Sequence, residues 1–198
     1  MVDILLLIAC YILGSLPFGY IITKVLGHTD IRAHGSGNIG ATNVLRVLGW
    51  RAALPVFILD MAKGFIAVML TRLISDTPHI FLVAAIVVLV GHSFPVFLKF
   101  KGGKAAATGI GVLLALSWPV TVILLVVAAV IIKTTKYVSL GSMISILLVP
   151  FLFWILNYGQ QYIICGAAMA MLVVARHHSN IRRLLNGTES KLGQKAKI

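Results

Sequence analysis

The chain has 198 residues, 60% of them hydrophobic and only 11% charged, with a mean hydropathy of +1.03; a soluble domain carries about a quarter charged residues, so this balance excludes one and leaves an integral membrane protein. Seventeen Lys and Arg stand against five Asp and Glu, a formal net charge of +12. On a soluble protein that excess would suggest nucleic acid, but here the basic residues fall between apolar stretches, which assigns them to topology and to anionic head groups or substrates and gives no nucleic-acid partner.

A helix needs about 20 apolar residues to cross about 30 Å of hydrocarbon. The first such stretch covers residues 2–26, with Gly14, Pro17 and Gly19 predicting a kink. It lacks a basic leader and a small-residue cleavage site, so it is expected to stay as a span. A second span covers 51–74 and a third 79–98. Residues 105–132 are too many for one crossing and few for two; Ser117-Trp118-Pro119 interrupts them, so two short spans are expected. Stretches 138–156 and 161–175 complete a set of seven. Cys10 and Cys165 both lie in apolar segments, which argues against a disulfide framework.

The connections test this count, because cytoplasmic loops carry an excess of Lys and Arg. Lys24, Arg32, Arg46 and Arg51 flank the first connection, Lys99, Lys101 and Lys104 the third, and Lys133 and Lys136 the fifth, while the second, fourth and sixth contain none. The chain therefore reads as an all-α polytopic membrane protein with seven transmembrane helices, some short, the N-terminus outside and the C-terminus cytoplasmic. It forms one domain, 1–198, with a basic tail from about residue 176.

All the polar clusters fall on the cytoplasmic side. The first is Gly35-Ser-Gly-Asn-Ile-Gly-Ala-Thr-Asn-Val-Leu-Arg46. Gly35, Gly37 and Gly40 let the backbone turn and present amide groups to an anion, Ser36, Asn38, Thr42 and Asn43 add neutral hydrogen-bonding side chains, and Arg46 supplies a planar fork suited to phosphate. The spacing matches neither the Walker pattern nor the dinucleotide fingerprint. Inside the second span, Asp60 and Lys63 stand one helical turn apart, either as a mutual ion pair or as substrate contacts.

The next cluster is Gly91-His-Ser-Phe-Pro-Val-Phe-Leu-Lys-Phe-Lys-Gly-Gly-Lys104. Gly102 and Gly103 offer amide donors and place Lys104 at a helix start, where a cation is poorly matched to the dipole unless an anion is present. Lys99 and Lys101 read as snorkelling anchors. His92 lies about two turns inside the bilayer, and its need for a partner is met equally by structural hydrogen bonding or by a site role. Tyr137-Val-Ser-Leu-Gly-Ser142 reads, by itself, as an ordinary helix start. In the last cluster, helical spacing brings His177, Asn180 and Leu184 onto one face with Arg183 near it. Glu189 is the one acid close by, so the adjacent His177 and His178 do not suggest a metal site.

Five acids do not supply the carboxylate-rich helix of a CDP-alcohol phosphatidyltransferase, and no His is followed by Asp five positions later, as in the common lipid acyltransferases. What remains is a site rich in phosphate ligands and poor in bases, suited to substrates that bring their own phosphates and their own reactivity. The runs 35–46, 91–104 and 177–189, with the 137–142 segment and Asp60-Met-Ala-Lys63-Gly64, resemble the signature motifs of the bacterial membrane acyl-phosphate:glycerol-3-phosphate acyltransferases, the PlsY family. One departure is visible: the family continues Gly-Gly-Lys with Gly, and here Ala105 follows Lys104.

The resemblance implies a seven-helix enzyme of the bacterial inner (cytoplasmic) membrane. It would move a fatty acyl group from acyl phosphate to glycerol 3-phosphate, giving lysophosphatidic acid and inorganic phosphate, with no cofactor. A soluble acyl-ACP:phosphate acyltransferase (PlsX) would be its supplier and partner. On this reading the loop of Gly35 to Gly40, with Ser36, Asn38 and Ser142, holds the acyl-phosphate head with help from Lys104. Arg46, His177 and Asn180 grip glycerol 3-phosphate, Thr42 and Asn43 support the loop, and the acceptor proton goes to a substrate phosphate oxygen or to His177. The competing reading is a small anion transporter or channel, which would need a polar route through spans that offer little beyond Asp60, Lys63 and His92.

Overall fold

The computed structural model describes residues 1–194. Its elements are helical throughout, with no strand among the described residues. α1 (Val2–Ser15) stops where Pro17 holds Leu16 extended, and α2 (Phe18–Gly27) resumes directly, so the expected kink is a full break. A polar loop leads to the short amphipathic α3 (Ala41–Leu48), then α4 (Trp50–Ile74) and α5 (Ile80–Ser93). α6 (Ala106–Leu116) and α7 (Trp118–Thr135) are divided at Ser117, whose hydroxyl caps α7 by accepting from Val120 N–H, while Pro119 sits in the first turn where no donor is needed. α8 (Val138–Ile155), α9 (Gln160–Arg176) and α10 (His178–Leu185) follow.

Five helical segments are long and apolar enough to cross a membrane: Val2–Gly27, Trp50–Ile74, Ile80–Leu98, Trp118–Thr135 and Val138–Ile155. Two shorter apolar helices, Ala106–Leu116 and Gln160–Arg176, complete the bundle. The third span is a correction. A helix was expected across 79–98, but α5 ends at Ser93, because Pro95 disfavours the helical region at Phe94; an irregular segment with one 3-10 turn, Val96–Leu98, follows. His92 therefore lies in the last turn of its helix, while the apolar segment itself runs on to Leu98 as expected.

Apolar side chains such as Leu73, Phe151, Trp154 and Met171 point outward, as a lipid-facing surface requires, while Val68, Val88, Leu89, Val112, Val149 and Phe153 fill the interior. Lipid tails are as apolar as the helices, so close backbone approach has to drive helix association. Two reciprocal glycine contacts provide it. A Cβ on Gly14 of α1 would strike Val88 O of α5, and one on Gly91 would strike Tyr11 O. Likewise Gly64 of α4 lies on Thr108 O of α6, and Gly111 on Met61 O.

Asp60 and Lys63, three residues apart on α4, form an ion pair of 2.8 Å with both side chains buried. Lys63 Nζ also donates to Leu16 O at 2.9 Å, a carbonyl at the break after α1 whose one amide donor is Phe18 N–H two residues on, at 3.2 Å.

Candidate active site

Three segments meet at the end of the bundle that holds the α5–α6 connection and α10. The first is the loop before α3, folded around one buried side chain. Asn43 Nδ2 donates to His34 O (3.0 Å) and Asn38 O (2.9 Å), and Asn43 Oδ1 accepts from Ser36 N–H (2.8 Å). Gly37 N–H donates to His34 O and Gly40 N–H to Asn38 Oδ1, so the amides of Ser36, Gly37 and Gly40 are engaged within the loop. The expected row of bare amides is thus shortened. What faces outward is the Ser36 hydroxyl, the Asn38 amide nitrogen and the first amides of α3 at Ala41 and Thr42, which have no intrahelical acceptor. Gly35 and Gly37 adopt left-handed conformations (φ 59° and 69°) that their side chain-free backbones allow without strain. Asn43, placed among the substrate ligands by sequence, is buried and wholly used by the loop.

The second segment carries Lys104. Gly102 and Gly103 were expected to offer their amides to phosphate, but these donate to Ser93 O (3.2 Å) and His92 O (3.0 Å), the free carbonyls at the end of α5. From the other side the Arg176 guanidinium donates to both glycine carbonyls, Nε to Gly103 O and Nη2 to Gly102 O, each at 3.1 Å. His92, also placed among the ligands, is buried beneath: its ring packs against Gly103, where a Cβ would strike it, and Nδ1 lies 3.6 Å from Asp60 Oδ1. This part of the chain is a pedestal for Lys104. Ala105 follows in the left-handed region (φ 58°), which is the conformational reason a glycine suits that position.

The third segment is the corner between α9 and α10 with the tail that folds back over it. Nδ1 of His177 lies 2.7 Å from Val173 O. A carbonyl only accepts, so Nδ1 carries the proton and Nε2 presents a lone pair. Burial pushes the His177 pKa down to about 4, helped by the cationic Lys104 and Arg176 nearby, so the ring is neutral at pH 7. Gly187 (φ 67°) turns the chain and brings Glu189 inward. Its carboxylate accepts from Ser139 Oγ (2.7 Å), Asn180 Nδ2 (2.7 Å) and Arg183 Nε (2.6 Å). Burial alone would raise the Glu189 pKa; the three donors and the Arg183 charge outweigh it and hold the group below its ordinary value. Next to it, Arg46 Nη2 donates to Ser190 O at 2.9 Å, tying α3 to the tail.

Lys104 lies within the fields of Arg183, Glu189, Arg46 and Arg176, and burial together with these cations lowers its pKa to about 8. Arg183, Arg46 and Lys104 lie near the one Glu189 carboxylate, and with Arg176 beside Lys104 the cations outnumber it, which leaves a pocket that wants further negative charge. Lys104, Arg46, His177 and Asn180 are therefore gathered as the sequence suggested. Ser142 stands one turn along α8 from Ser139, its hydroxyl donating to Val138 O (3.0 Å) while it lines an apolar cavity. That cavity lies between α6, α7 and α8, walled by Gly109, Leu113, Leu124 and Ile146, with Ala105 and Ser142 in its lining.

Sequence reasoning did not single out Ser139, Arg176 or Glu189 as parts of this site, and it placed Arg183 near the His177 face without giving it a partner. An acid beside a phosphate pocket reads as repulsive until its three donors are seen, and Arg176 looks like any basic residue ending a span. Among the described residues no three His, Cys, Asp or Glu side chains cluster as metal ligands.

The profile of a family described as glycerol-3-phosphate acyltransferase matches residues 4–187. A protein of that name from Thermoanaerobacter sp. (strain X514) is 46% identical over 100% of both chains. Another, from Prochlorococcus marinus (strain MIT 9312), is 44% identical over 97% of this chain and 98% of its own. Among solved structures, crystal structures of PlsY (YgiH), an integral membrane glycerol 3-phosphate acyltransferase, align over 98% of this chain. The glycerol 3-phosphate form has a TM-score of 0.92 at 36% identity over 96% of its chain. The lysophosphatidic acid form has 0.89 at 34% over 97%.

Proposed function

This chain belongs to the glycerol-3-phosphate acyltransferase family, and from that premise we propose that it draws its acyl group from an acyl phosphate and performs the transfer with positioned charge in place of a strong base. The hydroxyl oxygen of glycerol 3-phosphate attacks the acyl carbonyl carbon. The bond from that carbon to the phosphate oxygen breaks, and lysophosphatidic acid and inorganic phosphate leave. A mixed anhydride is already activated, so holding both reactants and neutralising the phosphates supplies most of what the reaction needs.

One observation carries this reading: Lys104, Arg46 and Arg183 gather near a single buried carboxylate, with Arg176 beside Lys104, and an apolar cavity reaches Ala105 and Ser142. Lys104 and Ser142 hold the acyl-phosphate head at the boundary between the two environments, joined by the Ser36 and Asn38 side chains and the first amides of α3. Arg46 and Asn180 bind the phosphate of glycerol 3-phosphate. A neutral His177 whose Nδ1–H is committed to Val173 O cannot donate from Nε2 to a phosphate oxygen, so it accepts from the attacking hydroxyl and orients it. The proton leaves on the departing phosphate, whose second pKa lies near 6.

Seven crossings, with the N-terminus outside and the site facing the cytoplasm, agree with the Lys and Arg distribution, and 1–198 forms one catalytic domain. A bacterial inner membrane and supply by a soluble acyl-ACP:phosphate acyltransferase (PlsX) complete the proposal.

Purified protein given palmitoyl phosphate and glycerol 3-phosphate, without added metal, should release phosphate and lysophosphatidic acid in equal amounts; no release overturns the reading. His177→Gln keeps an acceptor near the Nε2 position and should retain turnover within about tenfold, because loss of a true general base costs about 10²- to 10⁴-fold. A loss in that larger range would make His177 the base.

A further inference from the structure

Glycines inside helices of this protein have a reason that can be read from what a Cβ would meet. Gly14, Gly19, Gly64, Gly91 and Gly111 lie against the backbone of another segment, and Gly27, Gly141 and Gly166 against side chains. Gly109 is different: nothing lies within 4 Å of where its Cβ would be. Glycine in a helix interior is destabilising relative to alanine, and no helix contact here calls for it. What Gly109 faces is the apolar cavity between α6, α7 and α8.

That cavity is lined at one end by Ala105 and Ser142, next to Lys104, and reaches past Gly109 to Leu113 on α6 and to Leu124 on α7. Small residues, Ala106 and Ala128, flank the same passage. Gly109 stands five residues after Lys104, one turn into α6, about 5 Å along the helix from its start at Ala106. A chain whose head is held at Lys104 and Ser142 has to pass it within its first several carbons.

We infer that Gly109 is a specificity-determining residue: its missing side chain keeps open the passage by which the cavity accepts long acyl chains. The inference rests on the acyl-transfer reading above and names the occupant as the acyl chain, with its head at the cation cluster. A bilayer lipid lodged there from the side is the competing occupant, and it would make Gly109 indifferent to the substrate's chain length.

The test is a graded series, Gly109→Ala, Gly109→Val and Gly109→Leu, assayed with butyryl phosphate and palmitoyl phosphate at saturating glycerol 3-phosphate. The ratio of kcat/KM for palmitoyl over butyryl phosphate should fall stepwise with side-chain size, by at least about tenfold for Leu. Ala and Leu both favour helix more than Gly does, so thermal stability should hold or rise while the ratio falls. Thermal stabilisation by lysophosphatidic acid gives a second readout without turnover: the palmitoyl form should lose its effect on the Leu variant, and the butyryl form should keep it. Equal loss for both chain lengths, or an unchanged ratio, overturns the inference. Wild-type protein that is stabilised by lysophosphatidic acid in a chain-dependent way but transfers no acyl group would sink the functional reading and leave the cavity's role standing.

Discussion

The two glycine-rich segments look alike in sequence, both reading as phosphate loops, and the structure separates them by where their amides go. In the 35–40 loop, Asn43 gathers the backbone from within and leaves Ser36, Gly37 and the start of α3 facing out. Around Gly102 and Gly103 every backbone group is taken, amides by the end of α5 and carbonyls by Arg176. The first segment offers donors to a ligand; the second immobilises a cation. Glycine in such runs indicates close backbone approach, and only a hydrogen-bond accounting says whether the approach is by a ligand or by the protein itself.

Breaking each support should expose the difference. Arg176→Met keeps the apolar stem and removes the clamp on two carbonyls, so kcat should fall by about 10²-fold from misplacement of Lys104. The corresponding change in the other segment, Asn43→Ala, leaves loop groups without partners and should act on stability, by about 1–3 kcal/mol, together with the KM for substrate. Similar kinetic signatures for the two variants would erase the distinction.

The charge on the pedestal supplies a sharper probe. Lys104 is held at about 8, so its ammonium is intact below that pH and is lost as pH rises through it. Activity should therefore decline on the alkaline side, and Lys104→Arg, which does not titrate there, should show a lower but pH-flat rate. A descending limb that survives in the Arg variant assigns the titration elsewhere. The smallest effect is expected from Ala105→Gly: relief of the left-handed Ala should raise stability by about 1 kcal/mol, or about 2–4 °C in Tm, with little change in turnover.

The spans and their interruptions were legible because hydropathy length and proline act locally: the breaks at Pro17 and before Trp118 are where the residues put them. The end of α5 was misplaced, since Val96, Phe97 and Leu98 are as apolar as any helix while Pro95 governs the backbone. Lys104, Arg46, His177 and Asn180 were identifiable as a set, because each belongs to a polar run that composition cannot explain. Their partners were not. Arg176 and Glu189 act through residues up to 74 positions away in the chain, as with Arg176 and Gly102, and no local pattern marks such pairings, whereas Asn43 works inside its own loop, as the sequence suggested.

The Lys63 contact to Leu16 bears on how the chain settles into the bilayer during synthesis. A lone lysine near the centre of a span costs about 2.5–3.5 kcal/mol on insertion scales. Asp60 on its own helix and the Leu16 carbonyl of the first span together supply what Lys63 needs. The first span thus hands the second an acceptor that lipid tails cannot provide, and the two gain from meeting early in insertion.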